Sequence, residues 1–597
     1  MCGFAGIFAY SNNAPPILET ELLRIRDQMF HRGPDGEGLW ISADKRVGLG
    51  HRRLSIIDLS ENGAQPMASL DGRYQIIFNG EIYNFKELRS ELKSQGINFR
   101  GNSDTEVLLA LYAQKGAAMC SLLRGMYAFA IWDNLTQSIF LARDPFGMKP
   151  LYWHDDGKTI RFASQVKALL AGGGFQTESE PAGVVGYWIW GSVPEPFTLY
   201  KHLLSLEPGT WLRIELDGKR ESGTFQALFD LFSKFSSVTS NYSSLREALL
   251  DSVQAHLVSD VPLGIFLSAG IDSSTILGLA AECGAPLKSI TLGFKEFRGT
   301  SSDETVLAEL VAKKYGFKHQ TVWITQQDFE DKLQHYMSSM DQPTIDGLNT
   351  YLVADAAAQS GLKVVLSGLG ADEFFGGYPS FHHLPKIRRL GQVPANITFL
   401  AKLTRQISAP IFRKFTSEKY AGLLEYCSSW EGAYLLRRAS RMPWMLEAQE
   451  NLDFDIIKLG LERLSKYDIH DAKLNDLGDP FSIISFLEST RYMRNQLLRD
   501  NDWAGMSHSL EIRLPFLDWP LIEYLACQRS QHNNLHKNDI AHVVQPILPS
   551  EILNKPKTGF EIPIIRWMNK PNLKSNKSRG LLNWQEIVFS LNSKGLN

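Results

Sequence analysis

The sequence predicts two domains of different class: a mixed α+β unit over residues 1–215, a linker over 216–242, and a doubly wound parallel α/β unit with a helical cover over 243–597. Three observations predict this. The chain has 597 residues, several times a usual domain of roughly 100–200 residues. Its apolar period changes near residue 243, and two later strands run straight into Gly-rich turns.

In the first unit, residues 3–8, 74–78, 128–132 and 138–143 read as strands separated by Gly and Pro turns. A helix is expected over 84–93. A second begins at Ser103-Asp-Thr-Glu106, the S-x-x-E pattern of a capping box, with Val107, Leu108, Leu111 and Tyr112 forming its apolar face. From 208 to 242 the chain turns polar and rich in Ser and Lys, the composition of a domain tail and linker. Beyond it, strands at 264–267, 289–294, 319–324 and 363–366 alternate with helices at 274–281 and 303–315, the signature of a parallel sheet. Ligands of such sheets sit beyond the carboxyl ends of the strands, where both Gly-rich turns fall. After about 385 the pattern is helical.

Composition excludes several function classes. The chain is 44% hydrophobic and 21% charged with a formal net charge of −3, so nothing marks a nucleic-acid or anionic-membrane surface, and small-molecule substrates are expected. No apolar run approaches the ~18 residues of a membrane span, and no signal peptide is evident. The five cysteines are odd in number and lack CxxC spacing, as in a reducing, cytoplasmic protein.

Cys2 follows Met1 directly. Removal of Met1 would give Cys2 a free α-amine of pKa ~8, so that one residue would supply both nucleophile and base. The segments MCGFAGIF, HRGPDGEG (31–38), GHRRLSIIDLS (50–60), FNGEIYN (78–84), SDTE (103–106) and RDPFGMKPLYW (143–153) closely resemble class II glutamine amidotransferases. The resemblance implies an Ntn-hydrolase αββα sandwich. It also implies that Cys2 attacks glutamine, that Asn79 and Gly80 form the oxyanion hole, and that Arg53 holds the glutamine α-carboxylate while Asp104, with Glu81, holds its α-ammonium. Amide donors at an oxyanion and an Arg fork on a carboxylate are sound chemistry. Taken singly, Asn79-Gly80 also reads as a turn and Asp104 as a helix N-terminal acid. His31, Arg32 and Asp35 read as an ordering loop beside the site.

The second constellation, FLSAGIDSS (266–274), is a strand, a small-residue loop and a helix start, whose backbone N–H groups can cradle a pyrophosphate. It resembles the PP-loop of ATP pyrophosphatases, with Ala269 in place of the usual first glycine. The resemblance places ATP on Ser268, Gly270, Asp272, Ser273 and Ser274, with Leu267, Leu292, Ser367 and Gly368 lining the adenosine pocket. SGLGADEFFGGY (367–378) supplies a second acid, and Asp272 with Asp372 makes a pair of oxygen ligands for Mg²⁺. Read alone, both are surface-loop acids. RDNDWAGMSHSLEIRLPFLD (499–518) and KTGFEIPI (557–564) continue a likeness to asparagine synthetases. Within them Lys557 and Arg513 either meet phosphate or a substrate carboxylate, or serve solvated or packing roles.

Together the two domains imply ATP-dependent activation of aspartate to an acyl adenylate and its amidation by glutamine-derived ammonia carried through an interdomain tunnel. Where asparagine synthetases typically carry Glu, this chain has Leu369. That keeps open a different acceptor carboxylate, such as a uronic acid of a surface polysaccharide, and a weakened glutamine or nucleotide sensor. The lactam-forming relatives tend to lose Cys2, which is present here. The acceptor and the oligomeric state, a homodimer included, stay open.

Overall fold

A computed structural model describes residues 2–175, 177–234, 239–390, 398–415, 417–448, 452–531, 534–555, 562–568 and 577–592. Two six-stranded sheets build the first unit. One contains β1 (Gly3–Ala9), β2 (Gly36–Ile41), β3 (Val47–Arg53), β8 (Tyr152–Asp155), β9 (Thr159–Ala163) and β10 (Leu203–Ser205), in the order β10-β8-β9-β1-β3-β2. The other contains β4 (Met67–Ala68), β5 (Tyr74–Ile82), β6 (Gly125–Asp133), β7 (Ser138–Arg143), β11 (Thr210–Glu215) and β12 (Arg220–Thr224), in the order β12-β11-β7-β6-β5-β4.

The two-residue period of each strand divides its side chains between two cores. Phe4 and Phe8 of β1 meet Ile77 of β5 and Ala128 and Ala130 of β6 between the sheets. Ala5 and Ile7 point the other way, onto Leu22 and Ile25 of α1 (Glu19–Asp27). Ile76 and Phe78 point outward from the second sheet, toward Leu88 of α2 (Phe85–Ser94) and Leu108 and Leu111 of α3 (Asp104–Lys115). With α4 (Val166–Gly172) beside α1, the layers stack helix, sheet, sheet, helix, as the αββα expectation requires.

The second unit holds a five-stranded parallel sheet of β13 (Leu263–Phe266), β14 (Leu287–Phe294), β15 (Lys318–Ile324), β16 (Val364–Leu366) and β17 (Glu511–Arg513), ordered β15-β14-β13-β16-β17. Helix α5 (Ile271–Glu282) follows β13. Late in the chain, helix Pro480–Leu487 passes through a π-helical stretch, Glu488–Leu498, into α6 (Arg499–Met506), just before β17.

Three local expectations change. The capping box does not close: Ser103 Oγ accepts from Thr105 N, but Glu106 accepts from the Arg100 and Gly101 N–H groups at 2.8 and 3.1 Å, because the preceding loop folds back onto it. The stretch read as linker is partly ordered, since β12 pairs along β11 and a helix forms at Leu228–Ser233, burying Leu228 and Phe232. The helical cover also conceals β17, a strand too short to show alternation. The two units share one core, in which Leu54, Tyr83, Met126 and Phe146 of the first join the second.

Candidate active sites

Strands β1 and β5, one from each sheet of the sandwich, bring Cys2 against Asn79. The Cys2 backbone nitrogen lies 2.9 Å from Asn79 Oδ1. Asn79 is wholly buried, and its Nδ2 has no hydrogen-bond partner. A buried orphan donor is costly, and here it is the group an oxyanion would satisfy. The next residue must be glycine, because a Cβ on Gly80 would stand 2.2 Å from the Met126 carbonyl oxygen. Burial pushes the Cys2 thiol above its ordinary value, against a backbone hydrogen bond with Leu54 and the Arg53 charge.

Asp104 opens α3 and accepts from Ile82 N at 3.1 Å, at the end of β5. Burial pushes its carboxyl up to about 6, against hydrogen bonds from the Ile82 and Thr105 backbone. Glu81 is buried and raised well above a usual carboxylate, first by burial; Arg513 opposes this, and nearby Asp104 adds to it. Its Oε2 accepts from Arg513 at 3.1 Å, while Oε1 has no partner. Arg53 ends β3 and donates to the Ser60 and Asp58 carbonyls, which fix its guanidinium.

The second site is a cavity of about 220 Å³ at the carboxyl ends of β13, β14 and β16. Leu267, Ser268, Asp272, Ser273, Leu292, Ser367 and Gly368 line it, together with Leu369, Asn349 and Asn501. Ser273 Oγ accepts from Ser268 N and bonds Ser268 Oγ at 3.0 Å, which closes the loop. Gly270 is the N-cap of α5, and Ser274 Oγ is buried without a partner; neither borders the cavity. A Cβ on Gly368 would come within 2.9 Å of Asp272 Cβ, so the two Gly-rich turns touch only because this residue is glycine. Ala269 is wholly buried in the core beneath the loop, and its methyl group does not border the cavity.

Asp272 and Asp372 converge on one ammonium. Lys537 Nζ bonds Asp272 Oδ2 and lies 2.6 Å from Asp372 Oδ1. The two carboxylates in turn hold the lysine charged above its ordinary value, against burial. A cation already bridges the pair, and carboxylate oxygens are the donors a hard divalent ion takes, so the residues fit Mg²⁺. Among the described residues no cluster of three or more His, Cys, Asp or Glu could hold a metal; the remaining oxygens would have to come from the nucleotide. Lys557 lies outside the described residues.

Residues 1–225 match the family model for the glutamine amidotransferase domain, and residues 244–585 match that for asparagine synthase. The chain belongs to the asparagine synthase family. It is accordingly a glutamine-hydrolysing, ATP-dependent ligase with an amidotransferase domain and a synthase domain. It is 34% identical to "Asparagine synthetase [glutamine-hydrolyzing] 1" of Bacillus subtilis (strain 168), over 95% of this chain and 88% of that protein. It is 31% identical to a putative glutamine-hydrolysing asparagine synthetase of Mycobacterium tuberculosis, over 93% and 86%. It is 27% identical to "Amidase chry2" of Gibberella zeae, over 96% and 90%.

Within the asparagine synthase framework, three residues stand out whose partners the sequence did not reveal. Arg32 donates to the Cys2 carbonyl at 3.0 Å and forks onto Asp502 at 2.7 and 3.0 Å. Arg513 is neither solvated nor on the lining of the cavity; it takes the packing alternative, buried between Glu511 at 2.6 Å and Glu81. Lys537 carried no motif at all. The signal for Arg32 was its place in HRGPDGEG, but the partner 470 residues away could not be inferred.

Proposed function

We propose that the chain is a glutamine-dependent asparagine synthetase: it hydrolyses glutamine at Cys2 and uses the ammonia to amidate an aspartate activated by ATP. The observation that carries this reading is the pairing, in one molecule, of an orphan amide donor on Asn79 beside Cys2 with a cavity lined by Asp272, whose carboxylate converges with that of Asp372 on Lys537. Full-length likeness to proteins named asparagine synthetase supports aspartate as the acceptor.

In this reading the Cys2 α-amine, free once Met1 is removed, takes the thiol proton, and the thiolate attacks the glutamine carboxamide. The oxyanion falls between Asn79 Nδ2 and the Gly80 N–H. Ammonia departs, and water releases glutamate from the thioester. Arg53 faces the glutamine α-carboxylate, and Asp104 with Glu81 faces the α-ammonium. At the other site the aspartate β-carboxylate attacks the α-phosphorus of ATP, pyrophosphate leaves, and ammonia then displaces AMP. Ser268, Gly270, Ser273 and Ser274 form the loop that receives the phosphates, while Leu267, Leu292, Ser367 and Gly368 receive the adenosine. Asp272 and Asp372 would hold Mg²⁺, which would supply charge neutralisation at the phosphates. All five cysteines are free, in keeping with a cytoplasmic enzyme.

Leu369 borders the cavity and cannot accept a proton, which leaves a second reading with another acceptor carboxylate to be tested. The test is pyrophosphate release from MgATP and glutamine, with and without aspartate, while asparagine is followed by chromatography. Aspartate-dependent pyrophosphate with matching asparagine is expected. Glutamine hydrolysis with neither product would remove aspartate as the acceptor.

The glutamine site also carries a pH prediction. Asp104, raised to about 6, attracts the α-ammonium only when ionised, that is, above that pH. Glutaminase kcat/KM is therefore expected to fall about tenfold per unit as pH drops below about 6. An acid limb lying near 4 would exclude Asp104 as the titrating group.

A further inference from the structure

The carbonyl of the proposed nucleophile is held by an arginine whose own position is set by the other domain. Arg32 spends Nε on Cys2 O and both terminal nitrogens on Asp502. The side chains of this pair are 1% and 4% exposed. A bidentate guanidinium–carboxylate pair out of water is geometrically demanding, and removing one partner leaves an uncompensated buried charge. Lys149 Nζ lies 3.9 Å from the same carboxylate and is too far to replace the fork.

Asp502 lies on α6 next to Asn501, which borders the proposed nucleotide cavity. The same design recurs on β17. Arg513 reaches Glu81 with its guanidinium, while its carbonyl accepts from Ser367 N at 2.9 Å, and Ser367 lines that cavity. The glutamine site is thus braced from two rigid elements of the synthase domain.

We propose that Asp502 is a positioning residue for glutamine hydrolysis, acting through Arg32 to fix the backbone that carries Cys2. The inference rests on Cys2 as the glutamine nucleophile and does not depend on the acceptor. A nucleophile released from a near-attack geometry loses turnover rather than ground-state binding. Arg53, Glu81 and Asp104, which would hold the substrate, do not pass through Asp502.

The experiment is steady-state glutamate release by the full-length protein and its Asp502→Ala and Asp502→Asn variants, with ATP affinity measured by titration on each. Asp502→Ala is expected to lower glutaminase kcat on the order of 10²-fold, the scale of a small misplacement of a reacting group, with KM for glutamine and ATP affinity unchanged. Asp502→Asn retains one acceptor oxygen for Arg32 but not the charge, and is expected to recover part of the lost turnover. Unchanged kcat in Asp502→Ala would overturn the proposal, as would a parallel loss of kcat and ATP affinity or a failure of asparagine to rescue. Absence of glutaminase in the wild-type protein would instead overturn the reading of Cys2 on which the inference rests.

Discussion

Replacing Cys2 by alanine is expected to abolish glutamine-dependent synthesis, with glutaminase kcat falling at least ~10⁴-fold, the scale seen when a nucleophile acting as part of a unit is removed. Ammonium salts are expected to restore full synthesis. The two outcomes follow from where the thiol sits. Its loss leaves the backbone bonds to Asn79 and Arg32 in place, so the first domain keeps its geometry and the second keeps its contacts. The measurement is product formation with glutamine and then with ammonium as nitrogen donor. Residual glutamine-dependent synthesis near the wild-type rate would mean that another group attacks the amide.

The mirror image is Asp272→Asn. Glutamine hydrolysis is expected to persist while adenylate formation, read as acceptor-dependent pyrophosphate, falls by ~10²–10³, equivalent to ~3–4 kcal/mol of lost charge stabilisation. Asparagine preserves volume at the N-terminal end of α5, so the loop held by Ser273 and Ser268 stays closed. What changes is charge: Lys537 and any arriving cation then face one carboxylate instead of two. Equal loss of both activities would show that Asp272 holds the domains together rather than serving the nucleotide.

Much of this was legible in local sequence. Period-2 runs located β1, β5, β6 and β7, and the two Gly-rich turns located the cavity at the carboxyl ends of β13, β14 and β16, because both signals are written in consecutive residues. Three kinds of feature were not. Strand β17 has three residues, too few for alternation to appear. The capping box failed because Glu106 found the Arg100 and Gly101 amides first, a choice made by the path of the preceding loop. Arg32, Arg513 and Lys537 acquire meaning only from partners in distant parts of the chain, and no spacing rule relates residue 32 to residue 502.

Lys537 has one more implication. Two facing carboxylates repel one another and would splay in a ligand-free enzyme, but this chain carries its own counterion on a tether. A divalent ion held by Asp272 and Asp372 would therefore exchange with the ammonium and not simply add to it. The phosphates of a bound nucleotide would offer the displaced lysine other anionic oxygens. Lys537 would in this sense be a placeholder, tying admission of the ion to arrival of the nucleotide.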